Sequence, residues 1–220
     1  MYGNYAVIFD MDGVLTDTEP IHYQSWVKMA EEIGKDFSKE FFKSTFGQQS
    51  VPITRKLVGT KVDDDSVKKW ADLKENYFRE MVKDKIIPLP GVLKLLKELS
   101  HLNFKLAVGS SGPPENVDLL LKTLKISHYF KTIITAADVR NGKPSPDVFL
   151  IASEKLQIVP SNCVVIEDAP VGIEAAKNAG MKCIALTTTH STKDLLVADL
   201  VIKDLSKIQV EEIVKLINEN

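Results

Sequence analysis

The 220-residue sequence has little cysteine, little net charge and no long hydrophobic run. Its two cysteines, Cys163 and Cys183, each lie in an apolar stretch, which predicts reduced core thiols and excludes a disulfide-stapled secreted fold. With 28 basic and 30 acidic side chains, the net charge of -2 provides no strong field for nucleic acid or an anionic membrane. No apolar run approaches ~18 residues, and the N-terminus lacks the pattern of a signal peptide. We therefore expect a soluble, cytoplasmic monomer with no nucleic-acid or membrane partner.

What the sequence does contain is a regular alternation of apolar runs and amphipathic helical patterns. The apolar runs predict strands, and a chain of this length can bury a sizeable core without covalent cross-links. The predicted strands cover residues 5–9, 104–108, 132–135, 163–166, 183–186 and 200–202. Strands that are separated by helices predict a parallel sheet covered on both faces. The predicted fold class is therefore α/β, with a Rossmann-like three-layer parallel sheet as its core.

A long helical block interrupts this alternation directly after the first strand. Residues 18–86 contain almost no β-branched run, and apolar residues recur at helical spacing from Trp26 onward. The sequence Pro-Leu-Pro-Gly at 88–91 then punctuates the chain before the next helix. We predict an α-helical cap domain at 18–86, inserted after the first strand of a core domain that residues 1–17 and 87–220 form.

Polar side chains follow the predicted strands at the points where these strands end. In an open parallel sheet, ligands bind beyond the carboxyl ends of the strands. The residues expected to meet there are Asp10 and Asp12 after the first strand, Ser110 and Ser111 after the second, Lys143 after the third, and Glu167 and Asp168 after the fourth. Crowded carboxylates resist ionisation unless a cation lies among them, and an all-oxygen ligand set favours Mg²⁺. With a hydroxyl and an ammonium group for an anion, the set predicts phosphoryl transfer through an aspartyl phosphate.

Each of these residues also has an ordinary structural interpretation. An aspartate after a strand is usually a turn residue or a helix cap, and a lone serine there is often a cap as well. Lys143 alone would be a solvated surface lysine. The functional interpretation gains weight because all of these residues fall at the same end of consecutive strands. A buried Glu167-Asp168 pair without a partner would also be costly.

Four motifs at these positions resemble those of the haloacid-dehalogenase-like (HAD) hydrolases. Residues 10–19, DMDGVLTDTE, are similar to the first motif of that family, and Ser110 fits the second. Residues 143–147, KPSPD, fit the third motif, and residues 167–172, EDAPVG, fit the fourth. The match spans nearly the whole chain, in order and with the usual spacing. The helical insert resembles the α-helical cap of β-phosphoglucomutase-like members.

The resemblance implies a catalytic role for two aspartates. Asp10 would be the nucleophile that attacks phosphorus in line, and it would also contact Mg²⁺. Asp12 would be the general acid for the leaving oxygen and then the base for the acceptor, and its backbone carbonyl would be a metal ligand. Because aspartate is a poor base at its ordinary pKa of about 3.9, this role requires cap closure and a tuned environment. Asp12 also argues against the dehalogenase branch, which needs neither a second aspartate nor a metal.

The resemblance also implies which residues bind the phosphoryl group and the metal. Ser110, its neighbour Ser111 and Lys143 would hold the transferring phosphoryl group and offset its charge. Asp168 would bind Mg²⁺, and Glu167 would do so directly or through water. The implied partner is a small phosphorylated metabolite.

Two activities of the family fit these motifs, a phosphatase and a hexose-phosphate mutase. His22 lies four residues after Thr18, where β-phosphoglucomutases carry a histidine at the hinge between core and cap. An ordinary position on an amphipathic helix is the alternative interpretation of His22. The stretch Gly-Gln-Gln-Ser at 47–50 lacks the arginine that mutases use for the second phosphate. The second motif continues as Gly-Pro-Pro at 112–114, where mutases continue with Ser-Lys-Asn.

These departures favour a phosphatase of small phosphomonoesters, with sugar phosphates as the expected substrates and the mutase as the alternative. Three cationic residues of the insert would be able to compensate for the missing contacts: Arg55, Lys74 and Arg79. A catalytically silent binding protein is a third interpretation, but it predicts a damaged motif, and the motif residues are all present. The aromatic residues of the insert are expected to pack its core, with one or two near Phe46 facing the substrate.

Overall fold

The computed structural model of the protein describes residues 2–83 and 85–219. Six strands form one sheet: β1 (Ala6–Phe9), β2 (Lys105–Gly109), β3 (Thr132–Ile134), β4 (Cys163–Glu167), β5 (Lys182–Leu186) and β6 (Leu200–Ile202). All neighbouring strands are parallel, in the order β3-β2-β1-β4-β5-β6. Because β1 is hydrogen-bonded to both β2 and β4, the residues that follow these three strands lie side by side.

Nine α-helices occur in the described residues. They are α1 (Glu19–Glu32), α2 (Lys39–Thr45), α3 (Ser50–Val58), α4 (Asp64–Val82), α5 (Val92–His101), α6 (Pro114–Leu124), α7 (Asp147–Leu156), α8 (Pro170–Asn178) and α9 (Val210–Asn218). None of them is both long and apolar enough to cross a membrane.

The sheet is buried on both faces, because alternate side chains of its strands enter two different apolar clusters. In β1, Val7 and Phe9 pack with α5, α6 and α9, whereas Ala6 and Ile8 pack with α7 and α8. A strand that is buried on both faces reads as a continuous apolar run, as β1 does. This helix–sheet–helix arrangement confirms the predicted three-layer α/β class.

The four helices α1–α4, here called the cap helices, lie between β1 and α5 and form an apolar cluster of their own. Trp26 stacks on Phe37 with 5.3 Å between ring centroids, and Phe42 is buried beside them. Toward the end of α4, Phe78 and Val82 belong instead to the cluster that contains β1. Helix α4 therefore ties the cap helices to the sheet, together with Ile21 of α1, which packs against the same cluster.

The segments that lead into and out of the cap helices are joined to each other. The Thr16 hydroxyl donates a hydrogen bond to the carbonyl of Ile87 at 2.9 Å, and Thr16 forms an isolated antiparallel bridge with Pro88. The Leu89 amide donates to the Leu15 carbonyl at 3.1 Å. Both connections therefore leave the core at one point. The domain bounds predicted from the sequence fall next to this junction and stay a prediction.

Candidate active site

The carboxylate of Asp10 lies in a buried ion-pair cluster at the carboxyl edge of the sheet. Asp10 directly follows β1, and its amide donates to the carbonyl of Ile166 in β4 at 2.9 Å. Lys143, from the connection between β3 and α7, donates to Asp10 Oδ1 at 2.5 Å and to Glu167 Oε1 at 2.6 Å. All three side chains are buried. Predicted site residues from three separate strand ends thus meet at one ammonium group.

Burial and mutual repulsion raise the proton affinity of these carboxylates. Burial raises the pKa of Asp10 to about 7, and the neighbouring Glu167 carboxylate adds to this while Lys143 opposes it. Burial and Glu167 also raise the pKa of Asp168 well above its ordinary value. The Lys143 pKa is raised, because the Asp10 and Glu167 carboxylates outweigh the effect of its burial. One lysine therefore does not neutralise the cluster, which leaves a place for a further cation.

Three carboxylates of this cluster have the arrangement of a metal site. Asp10, Glu167 and Asp168 each offer an oxygen, and these oxygens lie within 4.8 Å of one another. One oxygen of Glu167 accepts from Lys143, and the other accepts the backbone amides of Asp168 and Ala169 at 2.9 and 3.1 Å. The Asp168 carboxylate accepts a short hydrogen bond from the Thr189 hydroxyl. An all-oxygen donor set of this kind fits a hard divalent ion such as Mg²⁺.

Two glycines of the motifs allow this close packing of carboxylates. Gly13 has a φ of 78°, and a Cβ at this position would overlap the Asp168 carboxylate. A Cβ on Gly172 would overlap the Glu167 carboxylate. Both positions therefore require the absence of a side chain, and Gly13 also requires a left-handed backbone conformation.

The carboxylate of Asp12 faces the cap helices and lies outside that metal-type cluster. Asp12 Oδ1 accepts from the Thr18 hydroxyl at 2.5 Å and lies 3.1 Å from His22 Nε2. The other ring nitrogen of His22, Nδ1, lies 2.8 Å from Lys74 Nζ. Because a lysine ammonium has donors and no acceptor, Nδ1 accepts and Nε2 carries the proton that it donates to Asp12. The His22 ring stacks on Phe78 with 3.9 Å between centroids, which fixes its orientation.

These contacts tune Asp12 toward its ionised form. Burial raises the pKa of Asp12, but His22, the Thr18 hydroxyl and Lys74 outweigh burial and hold the pKa below the ordinary value. This direction is opposite to the upward tuning that the acid/base role led us to expect, because a lowered pKa weakens a base and disfavours the protonated acid. At neutral pH Asp12 is a carboxylate that can accept a proton. His22, which the sequence placed at the cap hinge, reaches the core through this hydrogen bond.

The cap helices cover Asp10 and Asp12 and enclose a pocket between them and the sheet edge. Its lining comprises Asp10, Asp12, His22, Trp26, Phe42, Phe46, Gly47, Gln48, Ser50, Ile53, Lys74, Glu75, Ser111 and Gly112. The enclosed space of about 50 Å³ holds only a few water molecules. This volume is well below the ~300 Å³ or more of a typical small-molecule site.

The two serines predicted to hold phosphate are placed differently. Ser110 is buried, its hydroxyl accepts the amide of Gly112 at 3.0 Å, and it is not among the lining residues. Ser111 lines the pocket, and its buried hydroxyl has no hydrogen-bond partner within the described residues. A buried hydroxyl without a partner is costly. Ser111 therefore has its whole bonding capacity left for a ligand, and Ser110, which only accepts here, still has its own hydroxyl proton to donate.

The sequence interpretation missed one charged residue of the pocket, Glu75. This side chain is buried and accepts from Lys74 Nζ at 3.0 Å, from Asn116 Nδ2 at 2.6 Å and, in a short hydrogen bond, from the Ser50 hydroxyl. Burial raises the pKa of Glu75, but Lys74, His22 and Ser50 outweigh burial and lower it. Glu75 is therefore an anion in the pocket at neutral pH.

A signal for this position does exist in the sequence of α4. Its buried positions recur at helical spacing: Val67, Ala71, Lys74, Glu75, Phe78 and Val82. A lysine and a glutamate thus occupy positions that continue an apolar stripe. Charged residues on the buried side of an amphipathic helix are uncommon and, when present, are paired. The periodicity of α4 would have identified both residues as buried.

Of the three cations suggested to replace the arginine of the mutases, one reaches the pocket. Arg55 donates to the Val62 carbonyl and to Asp64 Oδ1, both at 2.5 Å, on the outside of the cap helices. Arg79 donates to Asn116 Oδ1 at 2.7 Å and does not line the pocket. Lys74 lines the pocket, but Glu75 and His22 already bind its ammonium group.

The chain matches the profile of the family described as haloacid dehalogenase-like hydrolase over residues 7–186. It belongs to this family, which confirms the resemblance of the four motifs and the prediction that the protein is an enzyme of the HAD hydrolase type.

Its relatives include both of the activities that the sequence left open. The chain is 35% identical over 193 residues to the phosphorylated carbohydrates phosphatase of Thermotoga maritima, covering 86% of this chain and 87% of that protein. It is 33% identical over 213 residues to the β-phosphoglucomutase of Bacillus subtilis, covering 94% and 92%. The crystal structure of β-phosphoglucomutase from Clostridium difficile superimposes with a TM-score of 0.89 at 31% identity, covering 97% of each chain.

Proposed function

We propose that the protein is a Mg²⁺-dependent phosphatase of small phosphomonoesters, in particular sugar phosphates, which acts through an aspartyl phosphate on Asp10. One observation carries the proposal: Asp10 and Asp12 line the same covered pocket, and Lys143 lies 2.5 Å from Asp10. A nucleophile, an acid/base group and a cation in one place are what phosphoryl transfer to a carboxylate requires. The relative that is named a phosphorylated carbohydrates phosphatase supports the substrate class.

The carboxylates at the sheet edge are proposed to hold one Mg²⁺ ion. Asp10 and Asp168 would be ligands, with Glu167 binding directly or through water and the Asp12 backbone carbonyl completing the protein's share. The bound ion would neutralise phosphoryl oxygens and the crowded carboxylates. The close approach of Asp10, Glu167 and Asp168 and the raised pKa values of Asp10 and Asp168 support this assignment.

In the first half-reaction, the phosphoryl group would pass from the substrate to Asp10. An oxygen of Asp10 attacks phosphorus in line, the bond between phosphorus and the leaving oxygen breaks, and Asp12 gives that oxygen a proton. Lys143 offsets the charge of the phosphoryl group, and the Ser110 and Ser111 hydroxyls donate hydrogen bonds to it. The leaving alcohol departs, and Asp10 carries the phosphoryl group.

In the second half-reaction, water would replace Asp10 on phosphorus. Asp12, now ionised, accepts a proton from the water molecule as its oxygen attacks, and the bond between phosphorus and Asp10 breaks. Phosphate leaves, and the proton held by Asp12 serves the next leaving group. Asp12 is ionised in this arrangement, as the base of this step must be, but its lowered pKa makes it a weak base, so the proton passes to it only as the new bond to phosphorus forms. Because His22 belongs to a cap helix, the hydrogen bond that tunes Asp12 depends on closure of the cap.

A hexose-phosphate mutase is the second candidate, since β-phosphoglucomutases are among the relatives and His22 lies in the pocket. A mutase must bind a sugar bisphosphate, which needs a cationic site for the phosphate that is not transferred. Arg55 and Arg79 lie outside the pocket lining, and Lys74 is paired with Glu75. This charge distribution favours the phosphatase.

The two activities are separated by their products. Phosphate release is measured with Mg²⁺ across a panel of sugar phosphates that includes β-glucose 1-phosphate, with Asp10→Asn and a chelator as controls. In parallel, formation of glucose 6-phosphate from β-glucose 1-phosphate is followed with a trace of bisphosphate primer. Mg²⁺-dependent phosphate release without isomerisation is the expected result. Primer-dependent isomerisation with little phosphate release would identify a mutase instead.

The remaining expectations concern the whole protein. Its partner is proposed to be a small phosphorylated metabolite, with no nucleic acid or membrane involved. A monomeric state and a cytoplasmic location stay predictions, which light scattering of the purified protein and microscopy of a tagged chain check.

A further inference from the structure

The pocket side formed by the cap helices carries a negative charge that the proposed chemistry does not use. A chain of contacts runs from Asp12 through His22 and Lys74 to Glu75, so Glu75 lies on the side away from the catalytic carboxylates. Glu75 lines the pocket and is buried. Its hydrogen bonds to Asn116 of α6 and to Ser50 at the start of α3 hold the carboxylate in place.

We propose that Glu75 is a specificity-determining residue. It selects monophosphates of neutral, hydroxylated compounds and rejects substrates that carry a second anionic group on the leaving side, the part of the substrate that departs as the alcohol. This inference rests on the proposed phosphatase function. None of the residues in the four motifs distinguishes a monophosphate from a bisphosphate, and the proposal assigns this distinction to Glu75.

The charges that line the pocket support this selection. The lining includes three carboxylates, from Asp10, Asp12 and Glu75, and Lys74 is the only lysine or arginine among the lining residues. In the proposed mechanism, Asp10 and Lys143 bind the phosphoryl group that reacts, so they are not available to a second one. A second phosphoryl group would bring close to two further negative charges toward Glu75 and would find no free cation. Like charges in a site that excludes water repel strongly.

The part of the pocket around Glu75 also offers hydrogen-bond partners for hydroxyl groups of a substrate. An ionised carboxylate has about four lone-pair sites, and Glu75 uses three of them, for Ser50, Lys74 and Asn116. The lowered pKa of Glu75 keeps it an acceptor at neutral pH. The polar side chains of Ser50 and Gln48 line the pocket beside it. Adjacent donors and an acceptor suit the hydroxyl groups of a sugar or polyol.

The test is a comparison of kcat/KM for a monophosphate and a bisphosphate of the same sugar, fructose 6-phosphate and fructose 1,6-bisphosphate. The wild-type enzyme is expected to prefer the monophosphate. Glu75→Gln, which keeps the shape of the side chain and removes its charge, is expected to lower this preference about tenfold or more. Glu80→Gln, on the exposed side of the same helix, is the matched control and should leave the preference within about twofold of wild type.

A folded Glu75→Gln enzyme whose preference stays within about twofold of wild type would overturn the inference. If circular dichroism shows that this variant does not fold, the wild-type enzyme provides the test with glycerol 3-phosphate and 3-phosphoglycerate, whose leaving sides end in an alcohol and a carboxylate. A kcat/KM about tenfold or more higher for the alcohol supports the role of Glu75, and equal values contradict it. If the wild type releases no phosphate from any monoester, the phosphatase proposal itself fails.

Discussion

Asn116 of the core and Glu75 of the cap helices are joined by a buried hydrogen bond, with Nδ2 of Asn116 2.6 Å from Oε2 of Glu75. Asn116 lies in the first turn of α6, and its Oδ1 accepts from Arg79 at 2.7 Å. Both partners of Asn116 belong to α4. This one side chain therefore stabilises the closed position of α4 against the core.

Replacing Asn116 by alanine is expected to weaken this closed position. The substitution leaves an oxygen of the buried Glu75 carboxylate without its donor, which costs about 1–3 kcal/mol. The free energy of unfolding in urea should fall by this amount, and kcat/KM for the best monophosphate should fall with it. Asp118→Asn removes an exposed ion pair with Lys122 from the same helix and should change stability by less than about 0.5 kcal/mol. Equal effects of the two substitutions would contradict the role of Asn116.

Glu75 predicts a specific pH dependence of stability. Its pKa in the folded protein is below the ordinary value of 4.5. A carboxylate with a lowered folded-state pKa stabilises the protein above the unfolded-state pKa, and this stabilisation is lost as the pH falls through the folded-state pKa. The wild type should therefore exceed Glu75→Gln in unfolding free energy at pH 7, and the difference should shrink below pH of about 4.5. Urea titrations at several pH values measure it. A difference that grows as the pH falls would contradict the ionised state of Glu75.

Alanine substitutions at Gly13 and Gly34 distinguish the effect of backbone strain from the effect of disturbing the Asp168 carboxylate. Both have a positive φ, 78° and 66°, but a Cβ on Gly13 would overlap Asp168, whereas a Cβ on Gly34 meets nothing within 4 Å. Alanine at either position should cost about 1–2 kcal/mol of stability through the left-handed conformation. Only Gly13→Ala should also abolish Mg²⁺-dependent phosphate release. Full activity of a folded Gly13→Ala enzyme would show that Asp168 does not need its present position.

Lys143 is expected to be essential for the stability of the metal-free protein. It is the counter-charge of two buried carboxylates, Asp10 and Glu167, and removing one partner of a buried ion pair costs about 3–5 kcal/mol. Lys143→Met should lower the unfolding free energy by about this amount at pH 7 in the presence of a chelator. Lys155→Met removes a half-exposed pair with Asp138 and should cost far less. Similar losses for both variants would argue against a buried, charged cluster.

Much of the fold was predictable because the strands carry their own signal. The continuous apolar run of β1 and the helices between later strands indicated a parallel sheet that is buried on both faces. The placement of β1 between β2 and β4 depends on pairing between segments about a hundred or more residues apart. No local pattern contains that information. The rule that ligands bind beyond the carboxyl ends of parallel strands was nevertheless sufficient to collect Asp10, Lys143, Glu167 and Asp168.

The part of the site that the cap helices provide was less accessible to sequence reasoning. Glu75 and Asn116 are 41 positions apart, and neither belongs to a motif of the core. Their contact exists only because α4 packs against α6. The loop conformation likewise decides that Ser111 lines the pocket and Ser110 does not, and no local pattern shows this for two adjacent serines. The motifs thus predicted the reacting groups. Glu75 and Asn116, which lie near the part of the substrate that departs, could be identified only from the tertiary structure.

The central claim is that Asp10 carries the phosphoryl group during turnover. Wild-type protein with Mg²⁺ is mixed with a ³²P-labelled sugar monophosphate that it hydrolyses, quenched in acid within milliseconds, and digested for peptide mapping. The account predicts transient label on the peptide that contains Asp10, formed and lost at rates compatible with kcat, and no label in Asp10→Asn. Turnover by the wild type without any labelled protein at any quench time, or steady phosphate release by Asp10→Asn, would contradict it.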